Sequence, residues 1–358
     1  MVNKRTFNPG IAVPPGETLQ EVLDDREMSQ KELADRMGVT PKHINKIIKG
    51  TAAISHEISI KLEDVLGIKA SFWNNLESKY QEDKARLEST SNIEDEEKLL
   101  NFIPYNEIAK LGWVEETKIR LEKVVNLRKF FGVASLNNIS TIQHAAFRKS
   151  TKFETDPYVI ATWLNKAELL AREVETLAYK RNNVEKVIPE FKKLTKLPAK
   201  AAIPKLKMLC SQVGIALVIL PHINKTYLNG VTKWISSDKA MIALSLKGAY
   251  EDIFWFTFFH ELGHIMQEKK SEVFIDGDEY LLNESEIEAD YFALNSLLKA
   301  EYYNEFVTNK QYLNKVQLRN FAEENDIHIG IVIGRLMKDG YIEYKNKSYE
   351  QLRRKISR

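Results

Sequence analysis

Apolar residues in the first part of the chain recur at helical spacing, with glycine, serine or threonine between the runs. From Leu19 to about Leu66 these short runs predict a compact all-helical bundle. Phe72 to Leu87 continues as a helix whose large apolar side chains share one face, so we expect it to pack against the bundle. The first ten residues are predicted to form an arm ahead of the bundle.

A polar segment, Ser89–Glu97, follows and is the best linker candidate in the chain. Beyond it the pattern is helical again to about Lys196, most clearly in Trp113–Phe131 and Pro157–Lys180. This part contains no recognisable catalytic group of residues, which favours a helical connector or a dimerising layer. We therefore expect a first domain at 1–88 and a connector or dimerisation region at 89–200.

The periodicity changes after Pro204. Ile215–Leu220 is a continuous apolar run typical of a buried strand. Further strands are predicted at Tyr227–Ile235, with Asn229-Gly230 as a turn or bulge, and at Met241–Leu246. The helices predicted after them are Tyr250–Gln267, Glu284–Leu298 and a helical tail to about Lys338. A small sheet with helices predicts an α+β domain at 201–345, followed by a basic tail at 346–358. The whole chain is then mainly α with a small β-sheet.

Composition narrows the class of protein. With 44% hydrophobic and 28% charged residues, the chain is typical of globular proteins that bury a real core. Its single cysteine, Cys210, excludes an internal disulfide and a cysteine-rich metal site, and its apolar neighbours indicate a core position. No apolar run is long enough for a signal peptide or a membrane span, so we expect a cytoplasmic protein without a membrane partner. A net charge of +2 means that any nucleic-acid surface must be local.

The bundle contains two short helices separated by a glycine. Ser29 can cap the first helix, and Glu32 completes a capping box three residues later. Gly38 is predicted to end that helix. Thr40 can cap the second helix, with Pro41 at its first position, where the missing N–H costs nothing.

In the second helix, Ile44, Ile47 and Ile48 are predicted to face the core. The outward positions carry polar side chains: Lys42, His43, Asn45, Lys46 and Lys49. A short helix with three lysines, no acid and an asparagine that can bond a base edge suits the DNA major groove. The alternative is that these lysines form an ordinary solvated helix face.

The bundle resembles the antitoxin-repressors of the HigA type within the Xre/Cro helix-turn-helix class, from about Pro14–Glu17 to Tyr80 and including Phe72–Glu77. The resemblance implies that the protein binds double-stranded operator DNA, usually as a homodimer. Positions that usually touch DNA in that class are matched by Gln30, Lys42, His43, Asn45 and Lys46. Together with Thr40 and Lys49, these residues are the predicted DNA contacts.

The back domain carries the motif His260-Glu261-Leu-Gly-His264 in a helical setting. His260 and His264 lie four residues apart, so both imidazoles project from one helix face and can bind one metal ion. Two histidine nitrogens suit Zn²⁺, with a third protein ligand and one position left for water. Glu261 stands beside them as the predicted catalytic base.

Acidic residues in the following helix supply candidates for the third ligand. Glu286 and Asp290 share one helix face, whereas Glu288 points elsewhere. We assign Glu286 as the third zinc ligand, and Asp290 as the carboxylate that orients a histidine ligand through its free N–H. Glu288 remains the rival ligand. The other possibility is that these acids form a solvated surface.

This domain resembles the ImmA/IrrE family of metallopeptidases over about Leu206 to Ile342. The resemblance rests on the HExxH helix and its lead-in Asp252–Phe259, on Ile242–Lys247, on Glu286–Ala293 and on Gly330–Leu336. It implies a zincin-like fold and a protein substrate that is itself a regulator, such as a repressor encoded nearby. The strand ending near Leu246 is a candidate for binding an extended substrate by strand addition. Tyr250, His222 and His328 are conceivable donors to a developing oxyanion.

Three functions remain open at this point. The chain can be an operator-binding regulator of a toxin-antitoxin system or mobile element whose zinc-dependent endopeptidase cleaves a repressor, an antitoxin or the chain itself. It can be a regulator whose zinc domain only senses or binds a partner. It can also be a toxin or antitoxin component acting by partner binding. The presence of Glu261 favours the first, because a purely structural zinc site needs no base.

Overall fold

A computed structural model describes residues 11–91, 93–142, 156–226, 228–246, 250–277 and 284–356. The chain divides into two compact units, residues 1–98 and residues 99–358. The predicted N-terminal arm lies outside the described residues. Among the described residues, no helix is both long enough and apolar enough to cross a membrane.

The first unit is helical, as predicted. Its helices are α1 (Pro15–Asp25), α2 (Gln30–Met37), α3 (Pro41–Ile48), α4 (His56–Leu66) and α5 (Ala70–Ser91). Apolar side chains from all of them meet in one core, in which Trp73 of α5 is fully buried. The aromatic stripe of α5 therefore packs on the bundle through Trp73, whereas its neighbour Phe72 stays 43% exposed.

The predicted linker is largely helical. Helix α5 runs through Ser91, and α6 (Glu94–Leu99) contains the boundary between the two units. The predicted linker Ser89–Glu97 thus ends one residue before the boundary between the units, and most of it is helical. Glutamate has a high helix propensity as well as a polar side chain, so a glutamate-rich segment can form an exposed helix.

The second unit holds the remaining elements. They are α7 (Tyr105–Lys110), α8 (Arg120–Phe131), α9 (Ile139–Ile142), α10 (Pro157–Glu173), α11 (Arg181–Leu194), α12 (Ala199–Gln212), β1 (Ile215–Leu220), β2 (Leu228–Ser236), β3 (Lys239–Ser245), α13 (Glu251–Met266), β4 (Val273–Gly277), α14 (Glu284–Leu297), α15 (Ala300–Thr308), α16 (Lys315–Glu324), α17 (Ile329–Lys338) and α18 (Lys347–Glu350). The predicted class, mainly helical with a small sheet, is confirmed.

The four described strands form one mixed sheet in the order β1-β3-β2-β4. Strand β1 is parallel to β3, while β2 is antiparallel to both β3 and β4. Because β3 is flanked on both sides, it has no free edge for an added strand, and the expectation that its end binds a substrate strand is wrong. The predicted irregularity at Asn229-Gly230 is confirmed as a register shift between β2 and β4. Tyr227 lies outside the described residues.

Helices cover both faces of the sheet. Side chains alternate between the faces of a strand, so Thr232 of β2 points towards α13 and Lys233 points towards α10. On the α10 side, Lys233 pairs with Glu168 at 2.6 Å. On the α13 side lies the main core, which also contains the buried Cys210, as expected, and burial raises the pKa of its thiol.

Two predicted helices are shorter in the structure. The helix predicted from Trp113 begins only at Arg120, and the one predicted to end at Lys180 ends at Glu173. After Glu173 the backbone becomes extended, and the N–H of Tyr179 donates to the carbonyl of Asp238 beside the sheet. Tertiary hydrogen bonding thus ends this helical pattern earlier than its periodicity indicates.

Candidate metal centre and nucleic-acid interface

Helix α13 carries the HExxH motif through the centre of the second unit. Its side chains are apolar on nearly all faces, which is the pattern of a helix buried all round, and Trp255, Phe258 and Phe259 are fully buried. Glu251 and Asp252 occupy its first turn, where negative charge interacts favourably with the helix dipole. Arg354 and Arg353 pair with these two carboxylates, at 3.3 Å and 2.7 Å.

Three potential metal ligands converge on one point beside α13. The Nε2 atoms of His260 and His264 lie 3.1 Å apart. The Oε2 atom of Glu286 lies 3.1 Å from the first nitrogen and 3.4 Å from the second. Bonds of about 2.0–2.1 Å to a tetrahedral ion require ligand atoms about 3.3 Å apart. The three side chains therefore have the spacing that a zinc ion needs.

The surroundings favour an ionised Glu286. Burial alone raises the pKa of this carboxyl, but when the rings of His260 and His264 are protonated, their hydrogen bonds and charge lower it well below its ordinary value. Phe274 of β4 stacks on the His264 ring, with centroids 4.1 Å apart, and so restricts its rotation. A charged oxygen and two oriented imidazoles thus face the same point.

Asp290 occupies the supporting position predicted for it. Its Oδ1 lies 2.9 Å from Nδ1 of His260, and because a carboxylate only accepts hydrogen bonds, Nδ1 is the donor. This bond leaves the lone pair of a neutral imidazole on Nε2, directed at the other two ligands. Glu288 is exposed, and the described group of potential metal ligands is His260, His264 and Glu286.

Glu261 is fully buried between α13 and β2. The hydroxyl of Thr232 lies 2.6 Å from its Oε2 and 3.0 Å from its backbone carbonyl. Opposite stands Gly230, where an added Cβ would lie only 2.3 Å from the Oε1 of Glu261. The register shift in β2 thus places a residue without a side chain where the carboxylate needs room.

The three conceivable oxyanion donors have other partners. Tyr250 donates its hydroxyl to the carboxylate of Glu350, and Nδ1 of His222 lies 3.0 Å from the hydroxyl of Thr226. His328 accepts the N–H of Gly330 at the start of α17. These contacts involve residues other than His260, His264 and Glu286.

In the first unit, α2 and α3 have the caps that the sequence predicts. The hydroxyl of Ser29 accepts the N–H of Glu32 at 3.1 Å, and that of Thr40 accepts the N–H of His43 at 3.3 Å. Gly38 ends α2 with a φ of 64°, a left-handed conformation that glycine adopts without a Cβ clash. Two capped helices joined by a tight glycine turn result.

Comparison with known proteins agrees with this geometry. The helix-turn-helix family model matches residues 19–73. The transcriptional regulator YddM of Escherichia coli K12, of the helix-turn-helix type, is 36% identical over 64 residues, which make up 68% of YddM and 18% of this chain. The chain belongs to the helix-turn-helix family. The match lies wholly within the first unit.

Solved structures also resemble this helix-turn-helix unit. The Pseudomonas aeruginosa antitoxin HigA, solved with the higBA promoter, is 31% identical, with a TM-score of 0.23. The match covers 24% of this chain and 95% of that protein. An addiction-module antidote protein of the HigA family from Coxiella burnetii is 28% identical, with a TM-score of 0.22, over 24% of this chain and 94% of its own.

The outer surface of the helix-turn-helix presents the predicted DNA contacts as a group. Lys42, Lys46 and Lys49 are exposed, and none forms a salt bridge with a described acid. Asn45 donates its side-chain amide to Gln30 at 3.3 Å, and Gln30 donates to Gln20 at 2.9 Å. Sequence reasoning missed Gln20, because an isolated glutamine on α1 carries no motif signal.

Other residues of the candidate metal centre were also not predicted from the sequence. Thr232 and Gly230 lie on a strand some thirty residues before Glu261 in the chain, and their role depends on the fold. Strand β4, which supplies Phe274, has only a short apolar run of its own. Period-two alternation over so few residues does not stand out in a sequence.

Proposed function

We propose that this helix-turn-helix protein is an operator-binding transcriptional regulator that also carries a zinc-dependent endopeptidase site. The observation that carries the second half is the convergence of His260, His264 and Glu286, whose ligand atoms lie 3.1–3.4 Å apart. The substrate we expect is a regulatory protein, such as a repressor or antitoxin encoded beside this chain.

The fit of the three donors to Zn²⁺ supports a hydrolytic centre. The donor set is two imidazoles and one carboxylate, which in zinc enzymes leaves a fourth position for water. When bound there, zinc would supply the Lewis acidity that activates water and polarises a peptide carbonyl. Asp290 keeps His260 in the tautomer that presents Nε2 to the ion.

In this proposal, Glu261 carries out proton transfer. It neighbours the ligand His260 in the chain but directs its carboxylate towards β2, where the hydroxyl of Thr232 holds Oε2. We assign it as the base that takes a proton from the attacking water and returns it to the leaving amine. Its burial excludes bulk water, which strengthens its interactions with nearby charges.

The first unit supplies the DNA-binding half of the proposal. Family membership, an α3 surface with exposed lysines and the half-buried Asn45 support insertion of α3 into the major groove. Lysines then neutralise phosphates, and Asn45 reads an adenine edge while Gln30 fixes its orientation. We expect a homodimer, because paired half-sites need paired domains.

Metal analysis combined with a digest tests the hydrolytic half. Native protein, Glu261→Gln and Glu286→Gln are assayed for bound zinc and mixed with the proteins encoded beside the gene. We expect one zinc per chain in the native protein and in Glu261→Gln, little zinc in Glu286→Gln, and a fragment only with the native protein. Glu288→Gln, on the same helix but exposed, is the matched control and should behave as native.

The outcome separates the candidate functions. If the native protein and Glu261→Gln both bind zinc but neither cleaves a protein, the alternative function is favoured. In that case the zinc domain senses or binds a partner without proteolysis. No zinc in the native protein would refute the ligand assignment. Binding of the native protein to the promoter fragment of its own gene, but not to a scrambled fragment, tests the DNA-binding half separately.

A further inference from the structure

A cavity of about 520 Å³ opens beside the candidate metal centre. His260 and Asp290 form part of its lining, so the cavity and the centre share a wall. Most of the remaining lining is apolar and comes from Ile253, Phe256 and Leu294, with Ile331 of α17 opposite. Cavities of this size and character typically enclose an apolar ligand group.

Two charged groups of the lining, Arg353 and Asp252, are already paired with each other. Arg353 donates two hydrogen bonds to Asp252, at 3.1 Å and 2.7 Å, and both side chains are at most 7% exposed. Asp252 fits there because Gly334 has no side chain: a Cβ would lie 2.1 Å from its Oδ2. A ligand that entered the cavity would therefore gain little by bringing a charge to this pair.

Lys338 also lines the cavity, and its Nζ lies 4.5 Å from the ring centroid of Phe256. Arg335, a further cation of the lining, is held by the protein. It donates to the carbonyl of Leu298 at 3.0 Å, and its guanidinium lies over the ring of Tyr303 at 3.8 Å. Its Nε lies 3.6 Å from a carboxylate oxygen of Asp339. Apart from these groups, the cavity offers a ligand mostly the apolar surface of α13, α14 and α17.

We propose that this cavity binds a bulky apolar side chain, of leucine or phenylalanine type, next to the bond that the metal centre cleaves. Phe256 stands one turn before His260, and their ring centroids are 6.2 Å apart. A side chain seated against Phe256 therefore places the backbone that carries it beside the metal ligands. This inference rests on the proposed peptidase function and adds the substrate preference of the same site.

Hydroxamates of known side chain provide the test, because the hydroxamate group anchors each probe on a metal ion. The probes are acetohydroxamate, 4-methylpentanohydroxamate and succinic acid monohydroxamate, in which a carboxylate replaces the isopropyl end. Affinities for zinc-loaded protein are measured by calorimetry. We expect the 4-methylpentano probe to bind on the order of tenfold more tightly than acetohydroxamate, and the succinic probe no more tightly than acetohydroxamate.

Two variants of the wall show whether the gain comes from this cavity. Ile253 is 42% exposed, so Ile253→Asp and the space-filling Ile253→Trp should fold, which circular dichroism checks. We expect both to remove the tenfold advantage. Leu169→Asp is the matched control, since Leu169 is 38% exposed on α10 and lies outside the cavity lining. It should retain the advantage.

The outcomes separate this inference from the proposed function. Equal binding of all three hydroxamates, or tightest binding of the succinic probe, would overturn the apolar pocket while leaving the metal centre intact. If no hydroxamate binds and the protein holds no zinc, the proposed function fails. Saturation-transfer NMR of the zinc-free protein with 4-methylpentanamide then tests whether the apolar cavity still binds an apolar group. A saturation-transfer signal from 4-methylpentanamide that is lost in Ile253→Asp and kept in Leu169→Asp would support the apolar pocket. Any other pattern would refute it.

Discussion

The hydroxyl of Thr232 lies 2.6 Å from the Oε2 of Glu261 and 3.0 Å from its backbone carbonyl. Both residues are almost fully buried, so this contact is made out of reach of bulk solvent. A buried carboxylate depends on such donors, because leaving it without them costs the desolvation of a charge. The orientation of the candidate base is thus determined by the central strand β2 as well as by its own helix.

Replacing the hydroxyl of Thr232 should affect stability and activity together. In Thr232→Val the carboxylate loses a donor, so we expect the free energy of unfolding to fall by about 1–3 kcal/mol and peptide cleavage to slow at unchanged zinc content. Thr232→Ser keeps the hydroxyl and should recover most of both. Chemical denaturation, metal analysis and cleavage rates measure these effects. Equal behaviour of Val and Ser variants would contradict a positioning role.

The close approach at Gly230 predicts a specific coupling with Glu261. Gly230→Ala places a Cβ 2.3 Å from Oε1, so we expect a loss of about 1–3 kcal/mol in unfolding free energy. In a Glu261→Ala background the obstacle is absent, and the same glycine substitution should cost little. A double-mutant cycle by urea denaturation measures the difference. Additive costs would show that strain at this position comes from the strand itself.

Removal of metal should destabilise only the second unit. A ligand that binds the native state stabilises it by about 2.7 kcal/mol at a free concentration one hundred times its Kd. We therefore expect a chelator to lower the unfolding temperature of the unit containing His264, while the helix-turn-helix unit is unchanged. Calorimetry of native protein with and without a chelator checks this. His264→Ala should unfold at the chelated temperature whether or not a chelator is present.

Acidification should weaken the second unit through His328. Burial, and then the positive charge of Arg354, lowers the pKa of this imidazole from 6.5 to about 4. Between these two pKa values the unfolded chain binds a proton that the folded chain does not. The free energy of unfolding therefore rises with pH across this interval, and the full contribution of His328 is present above pH 6.5. Because His328 is partly exposed, solvent screens this effect, and we expect the free energy of unfolding to fall by about 1–2 kcal/mol at the acidic end of the interval.

His328→Asn provides the control for this pH dependence. Asparagine can still accept the N–H of Gly330 at the start of α17 but does not titrate. Denaturation at several pH values between 4 and 6.5 should show a shallower slope in this variant than in the native protein. An unchanged slope would assign the acid sensitivity to other groups.

Substitutions on α3 should separate affinity from sequence discrimination. Lys42→Ala and Lys46→Ala should weaken binding to the protein's own promoter fragment and to scrambled DNA alike, each reducing the salt slope by about 1. Asn45→Ala should weaken the free energy of binding by about 1–3 kcal/mol for the promoter fragment and leave binding to scrambled DNA unchanged. Lys84→Ala, an exposed lysine on α5, controls for loss of charge. Salt titrations of DNA binding measure all of these, and an equal effect of Lys84→Ala would refute α3 as the DNA-reading surface.

Local rules were sufficient for several elements. The caps at Ser29 and Thr40 and the strand Ile215–Leu220 follow from side-chain chemistry and apolar runs that act within a few residues. Spacing along two helices also predicted that His260, His264 and Glu286 share faces, and the structure brings their ligand atoms together. Whether they hold zinc remains a prediction.

Features that depend on contacts far apart in the chain could not be predicted in this way. The early end of α10 at Glu173, the inner position of β3 and the contact of Thr232 with Glu261 each require knowing which elements become neighbours. The helical conformation of most of Ser89–Glu97 could not be predicted for a related reason. Glutamate-rich segments suit both a solvated linker and an exposed helix, and composition alone does not distinguish them.

The pairs that hold the first turn of α13 have a consequence for the order in which the protein matures. Arg353 lies 101 residues beyond Asp252, so the ribosome completes the rest of α13, and the ligand on α14, well before it adds that partner. The helix-turn-helix unit is translated first and can fold while the buried carboxylates of α13 still lack their arginine partners. We expect nascent chains to acquire the ability to contact DNA before the candidate metal centre is complete, so that any proposed hydrolysis would begin only once synthesis has passed Arg354.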